Sequence, residues 1–134
     1  MSDGRDGLVE AGVAAGRDSF VTTFGRVPEN FALLAEHAPA AFAGYGLMRE
    51  ALMREPGEGG ALDRKTNEFV FALLDVLVGQ TEAAKRHAAA ALRLGLTLPE
   101  LAEGLVQVMM VGGITTWNRS GAEVLRHCAG LEES

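Results

Sequence analysis

The chain has 134 residues, 48% of them hydrophobic, and a formal net charge of −6. That length supports one domain with a real core and is too short for two ordinary ones. The acidic balance argues against nucleic acid as a partner, because phosphate binding needs a basic surface. The single cysteine, Cys128, excludes an internal disulfide and a cysteine-based zinc cluster.

No apolar run reaches the length of a membrane span, since Asp75 and Gly79 interrupt the best candidate. The opening MSDGRDG is acidic and polar rather than basic and then apolar, so no signal peptide is expected. The expected location is the cytoplasm, with no membrane contact.

In chain order, residues 1–7 read as a frayed terminus rich in Gly and Asp. From Leu8 to Phe24 the spacing predicts a helix anchored by Val9, Val13, Phe20 and Phe24, weakened by Gly12 and Gly16. After the break at Gly25–Arg26–Val27, Pro28 opens a short helix carrying Phe31, Leu33 and Leu34. Pro39 starts the next, PAAFAGYGLMREALMRE, whose Gly44–Tyr45–Gly46 triplet calls for a neighbour packed very close. Residues 55–62, EPGEGGAL, are a linker.

Asp63 is a good N-cap for a helix over Arg64–Val78. Phe69, Val70, Leu73, Leu74, Val76 and Leu77 leave that helix little polar face, so it is central in the domain or shared with another subunit. Gly79 ends it. Thr81 is the expected cap of the following helix, with Glu82 in its first turn. Ala84, His87, Ala88 and Ala91 give that helix a smooth seam, and Gly95 closes it.

Thr97–Leu98–Pro99–Glu100 reads as a capping box for a helix ending at Gly112–Gly113. A last helix is expected over Thr116–Cys128, followed by a short acidic tail. Sustained alternation of apolar and polar residues is absent, so the fold class is all-α: one helical domain over residues 1–134, about six helices, built around a central helical hairpin.

The hairpin carries the chemistry. Glu68 and Asp75 lie seven apart, two turns, and share one face of its first helix; His87 sits in the middle of the second. A carboxylate facing an imidazole can form an acid–base pair, since each tunes the proton affinity of the other. A buried structural pair of Glu68 and His87, with Asp75 at a subunit contact, fits the same spacing.

His37, His87 and His127 are scattered, so no metal site is expected. Glu123 and His127, four apart, read as a solvated contact on one helix. Cys128 beside His127 reads as a small apolar residue of the last helix rather than a ligand or a reactive thiol.

Taken together, Leu62–Asp63–x–Lys65–Thr66–x–Glu68, Gly79, His87–x–x–x–Ala91, Gly95–Leu96–Thr97–x–x–Glu100–Leu101–Ala102–Glu103 and the glycine pair near Gly112 resemble the carboxymuconolactone decarboxylase family, which includes the alkylhydroperoxidase D-like proteins. The resemblance reaches back weakly to Val27–Pro28 and covers most of the chain. It implies an all-helical domain that assembles into trimers or hexamers.

Peroxidase members of that family carry a Glu, a Cys-x-x-Cys pair and a His. Here the Glu and His positions hold Glu68 and His87, and the cysteine positions hold Gln80 and Ala83. Thiol–disulfide exchange needs two sulfurs, so the resemblance is to the branch without the cysteine pair.

That branch implies a cofactor-independent decarboxylase acting on a small carboxylated or lactone-type molecule. Loss of CO2 places electron density on a conjugated carbonyl, which hydrogen bonds must stabilise before an acid protonates carbon. His87 would be the proton donor, Glu68 its orienting partner and Gln80 a donor to substrate. Arg86, Arg93 and Arg119 are the candidate partners for a substrate carboxylate.

The chain departs from the family where Val111–Gly112–Gly113–Ile114–Thr115 replaces an aromatic-Ala-Gly-x-Pro segment, and where Trp117 and Asn118 replace small residues; both are candidates for an altered pocket wall. An oligomeric binding or scaffold protein of the same fold is the alternative function.

Overall fold

The computed structural model describes residues 4–133, and among these no strand occurs. Contacts divide the chain into two compact units that meet in sequence between Leu62 and Asp63.

The first unit holds α1 (Arg5–Phe24), α2 (Glu29–His37) and α3 (Pro39–Leu52). α1 begins earlier than its composition predicts. Gly4 turns the chain with φ 80°, its carbonyl accepts from Leu8 N–H at 3.1 Å, and Asp6 sits in the favourable first turn, so Arg5–Gly7 are helical rather than frayed. The expected fraying of residues 1–3 lies outside the described residues.

The glycines that weaken α1 as an isolated helix let α3 approach. A Cβ on Gly12 would stand 2.6 Å from Ala43 Cβ, and one on Gly46 would stand 2.5 Å from Gly16 Cα. Close packing is thus the reason for Gly46, whereas Gly44 faces open space. Phe20 and Phe42 are fully buried, and Phe31 packs tilted against Phe20 at 4.6 Å and stacks on Tyr45 at 5.0 Å. Residues 55–62 form a tight turn closed by Glu58 N–H and Gly60 N–H donating to the Glu55 carbonyl.

The second unit holds α4 (Arg64–Leu77), α5 (Thr81–Arg93), α6 (Leu98–Gly112), the short α7 (Ile114–Thr116), a π-helical turn (Trp117–Gly121) and α8 (Ala122–Glu133). The predicted stops largely hold. Asp63 accepts Thr66 N–H at 2.7 Å, and Thr97 and Glu100 form the reciprocal capping box.

Three details of this unit differ from expectation. Thr81 does not cap α5. Gln80 occupies the cap position, and the Thr81 hydroxyl instead lies 2.6 Å from that of buried Ser120. The final helix runs on to Glu133, so the acidic end is helical. Glu123 pairs with Lys85 of α5 at 3.3 Å rather than with His127, and Lys85 meets Glu82 of its own helix at 3.1 Å as well.

The core of this unit joins Ala72 and Val76 of α4 and Ala84, Ala88 and Ala91 of α5 to Leu101, Leu105, Val124 and Cys128. Burial pushes the Cys128 thiol up, reinforced by Glu132. Buried in an apolar core, Cys128 is the inert packing residue expected. α4 is not buried all round: Val70, Leu74 and Val78, four apart, are 40, 53 and 66% exposed along one stripe.

Among the described residues, no helix is long and apolar enough to cross a membrane.

Candidate active site

The site lies in the seam between α4 and α5. Alanines at 84, 88 and 91 leave α5 thin on its inner side, so α4 comes close enough for side chains of the two helices to meet. Between α4 and α5, Gly79 takes φ 81°, a conformation that reverses the chain at no steric cost only for glycine. The Gln80 N–H, just beyond it, donates to the Asp75 carbonyl at 2.8 Å and fixes the turn.

In that seam His87 Nδ1 and Glu68 Oε2 share a hydrogen bond of 2.6 Å. The Glu68 side chain is 1% exposed and that of His87 14%. With Glu68 ionised the carboxylate can only accept, which places the proton on Nδ1 and fixes the ring's direction. The other oxygen, Glu68 Oε1, is buried with no hydrogen-bond partner among the described residues.

On the other side of the ring, His87 Nε2 faces Asp75 Oδ2 at 3.9 Å, close enough for ion pairing and too long for a hydrogen bond. Phe71 stacks on the imidazole with centroids 5.1 Å apart and an interplanar angle of 28°. Glu68, Phe71 and Asp75 stand at i, i+3 and i+7 of α4, one face of the helix, and all three address the same imidazole.

Burial holds the Asp75 carboxyl above the usual carboxylate range, opposed by its attraction to His87 and Arg86. Desolvation outweighs the attraction of these two neighbours. The arrangement can therefore orient an imidazole, hold a proton on it, and place a second carboxyl near the outer nitrogen.

The remaining candidates lie on α5, at its N-cap and on the π-helical turn. Gln80 is exposed at the α5 N-cap, and Arg86 is an exposed neighbour of His87 whose charge acts on Asp75. Trp117 and Asn118 are both on the π-helical turn. The Trp117 ring packs on the apolar core and against Gly121, while Asn118 is exposed. Arg119, on the same turn, lays its guanidinium over Gly79, 2.9 Å from where a Cβ would stand; Arg93 is exposed in the last turn of α5.

Two features went unforeseen. Phe71 as the ring's stacking partner was recoverable from its spacing with Glu68 and Asp75, and the π turn has no sequence signal of its own. Among the described residues no group of three or more His, Cys, Asp or Glu is arranged to hold a metal ion.

A search among curated proteins found no match to this chain. Among solved structures the chain is similar to a candidate carboxymuconolactone decarboxylase from Burkholderia xenovorans. The two are 25% identical, with a TM-score of 0.83 over 93% of this chain and 94% of that one. The model of the carboxymuconolactone decarboxylase family matches residues 39–127, a stretch that contains Glu68, Asp75 and His87. The chain therefore belongs to the carboxymuconolactone decarboxylase family.

Proposed function

We propose that this protein is a cofactor-independent carbon–carbon lyase that decarboxylates a small carboxylated or lactone-type metabolite by acid–base chemistry. The observation that carries the reading is the 2.6 Å contact of His87 Nδ1 with buried Glu68, which commits the inner nitrogen and turns Nε2 outward. His87 is the proton donor and Glu68 holds its tautomer. When the carboxylate leaves as CO2, the electron pair delocalises onto the substrate carbonyl, and the proton from Nε2 closes the new C–H bond.

In this reading Gln80 donates a hydrogen bond to substrate, Arg86 meets its carboxylate, and Trp117 and Asn118 form part of the wall. The protein is cytoplasmic and acts as a trimer or hexamer. The exposed stripe of Val70, Leu74 and Val78 supports self-association, since burying it removes apolar surface from water.

A second reading, a non-catalytic oligomeric binding or scaffold protein, draws its support from how little of the Glu68 side chain meets solvent. Gln80 and Ala83 at the positions where the family's peroxidases carry cysteines argue against the thiol-peroxidase route.

The test is CO2 release from a panel of carboxylated lactones and β-keto acids, with the wild-type chain beside His87→Ala. Release by the wild type that is lost in the variant supports the lyase reading. Equal release by both would remove His87 from the mechanism.

A further inference from the structure

Glu68 and His87 leave one group of the site without a role. Asp75 lies on the opposite side of the ring from Glu68, with Oδ2 3.9 Å from Nε2. Its side chain is 25% exposed, against 14% for His87 and 1% for Glu68, so it is the most solvent-exposed of the three. Its own carbonyl is tied to Gln80 N–H, which anchors the residue at the α4–α5 turn.

We propose that Asp75 is a positioning residue of this site, whose carboxyl steers His87 Nε2 and relays protons to it from solvent. The proposal rests on the acid–base reading given above and adds a proton path to it. In each turnover the carbon left by CO2 takes a proton from Nε2, and His87 is left one proton short. Asp75 takes a proton from water and gives it to Nε2, which restores both groups. No oxidant or reductant is involved, and the net change is one proton drawn from water per CO2 lost. The burial that favours the protonated Asp75 suits a carboxyl that must hold a proton before passing it on.

The charged surroundings are few. From α4 the ring meets Glu68 and Asp75; from α5 Asp75 meets His87 and Arg86. On α6, Glu100 is engaged by Thr97 and Glu103 is exposed, while on the π turn Arg119 lies over Gly79.

The test reads the imidazole nitrogens of His87 by 15N NMR across pH in the full chain, with the signals assigned by their loss in His87→Gln. Asp75→Asn is expected to move the midpoint of the His87 titration to lower pH by about half a unit or more. Asp75→Glu should return it most of the way, and Glu103→Gln should leave it in place.

If Asp75→Asn fails to fold, the wild-type chain still decides. The Asp75 carboxyl carbon, followed by 13C, should show an inflection at the His87 midpoint. An unmoved midpoint in Asp75→Asn, or no such inflection, overturns the proposal. Because neither measurement uses turnover, equal CO2 release from wild type and His87→Ala beside a coupled titration would reject the lyase reading and leave the Asp75–His87 link standing.

Discussion

The two units of this chain each bury an ionisable group, and they do so to opposite ends. In the first, Arg49 is 6% exposed. Its guanidinium lies 4.7 Å over Phe20 and 5.1 Å over Phe24, and it donates to Ser19 at 3.4 Å. A guanidinium does not give up its proton, so this charge is a fixed fitting between aromatic faces. In the second, buried Glu68 lies 2.6 Å from the largely buried His87 imidazole, and both are groups that, unlike a guanidinium, can take up and release a proton. Burial of an ionisable group is thus common to both units, and the pair in the second is of the kind that exchanges protons. What separates the two is the kind of charge, not its depth.

The largest expected effect tests that contrast directly. His87→Ala removes the Nε2 donor and, under the proposed lyase reading, is expected to lower CO2 release by about 10²–10⁴-fold, the usual contribution of a positioned acid. Glu68→Gln should lower it less, because an amide oxygen still accepts Nδ1–H and keeps the ring oriented. Steady-state assays of both variants check the order. A Glu68→Gln variant weaker than His87→Ala would mean that Glu68 does more than orient.

Next in size is the helix contact of the first unit. A methyl on Gly46 meets the backbone of Gly16, which no rotamer change can relieve. Gly46→Ala is expected to destabilise by about 2 kcal/mol, overpacking outweighing the better helix propensity of alanine. Gly44→Ala, facing open space, should be neutral or slightly stabilising. Denaturant melts of the pair separate packing from propensity at two positions one turn-half apart. Equal shifts would show that the close approach is not what Gly46 provides.

What the residues themselves disclosed follows from the range of the interactions involved. The caps at Asp63 and Thr97 were legible because each is closed by a residue three positions away. The pairing of Glu68 with His87 was half legible. A spacing of seven put Glu68 and Asp75 on one face, but only the folded hairpin shows that the two carboxyls stand on opposite nitrogens of one ring. Thr81 was misread as a cap because its hydroxyl is engaged by Ser120, 39 residues away. The same limit hid the Lys85–Glu123 pair behind the i,i+4 spacing of Glu123 with His127. Glycine in α1 reads as weakness when only propensity is counted, and as a requirement once α3 is packed against it.

A smaller effect sharpens the first-unit half of the comparison. Arg49→Lys keeps the charge but loses the flat face that lies over Phe20 and Phe24. It is expected to cost about 1 kcal/mol of stability, with CO2 release unchanged. A fall in turnover at equal stability would break the division of labour drawn between the units.

The smallest effect belongs to Asp75 and depends on pH. Burial raises its carboxyl above the ordinary value of 3.8 despite the pull of His87 and Arg86. A group whose affinity for protons is higher in the folded chain contributes stability that is fully present below its unfolded value and is lost as pH rises through its folded value. At neutral pH the wild-type chain has lost that contribution and carries a partly buried anion. Asp75→Asn, which cannot ionise, should therefore melt slightly higher than wild type at pH 7. The advantage should shrink on acidification and vanish once the wild-type carboxyl is protonated, below the ordinary carboxylate range. A variant that melts lower than wild type at pH 7 would mean that attraction to His87 and Arg86 outweighs desolvation. Asp75 would then anchor Nε2 as Glu68 anchors Nδ1, and the site would hold its imidazole between two carboxyl groups.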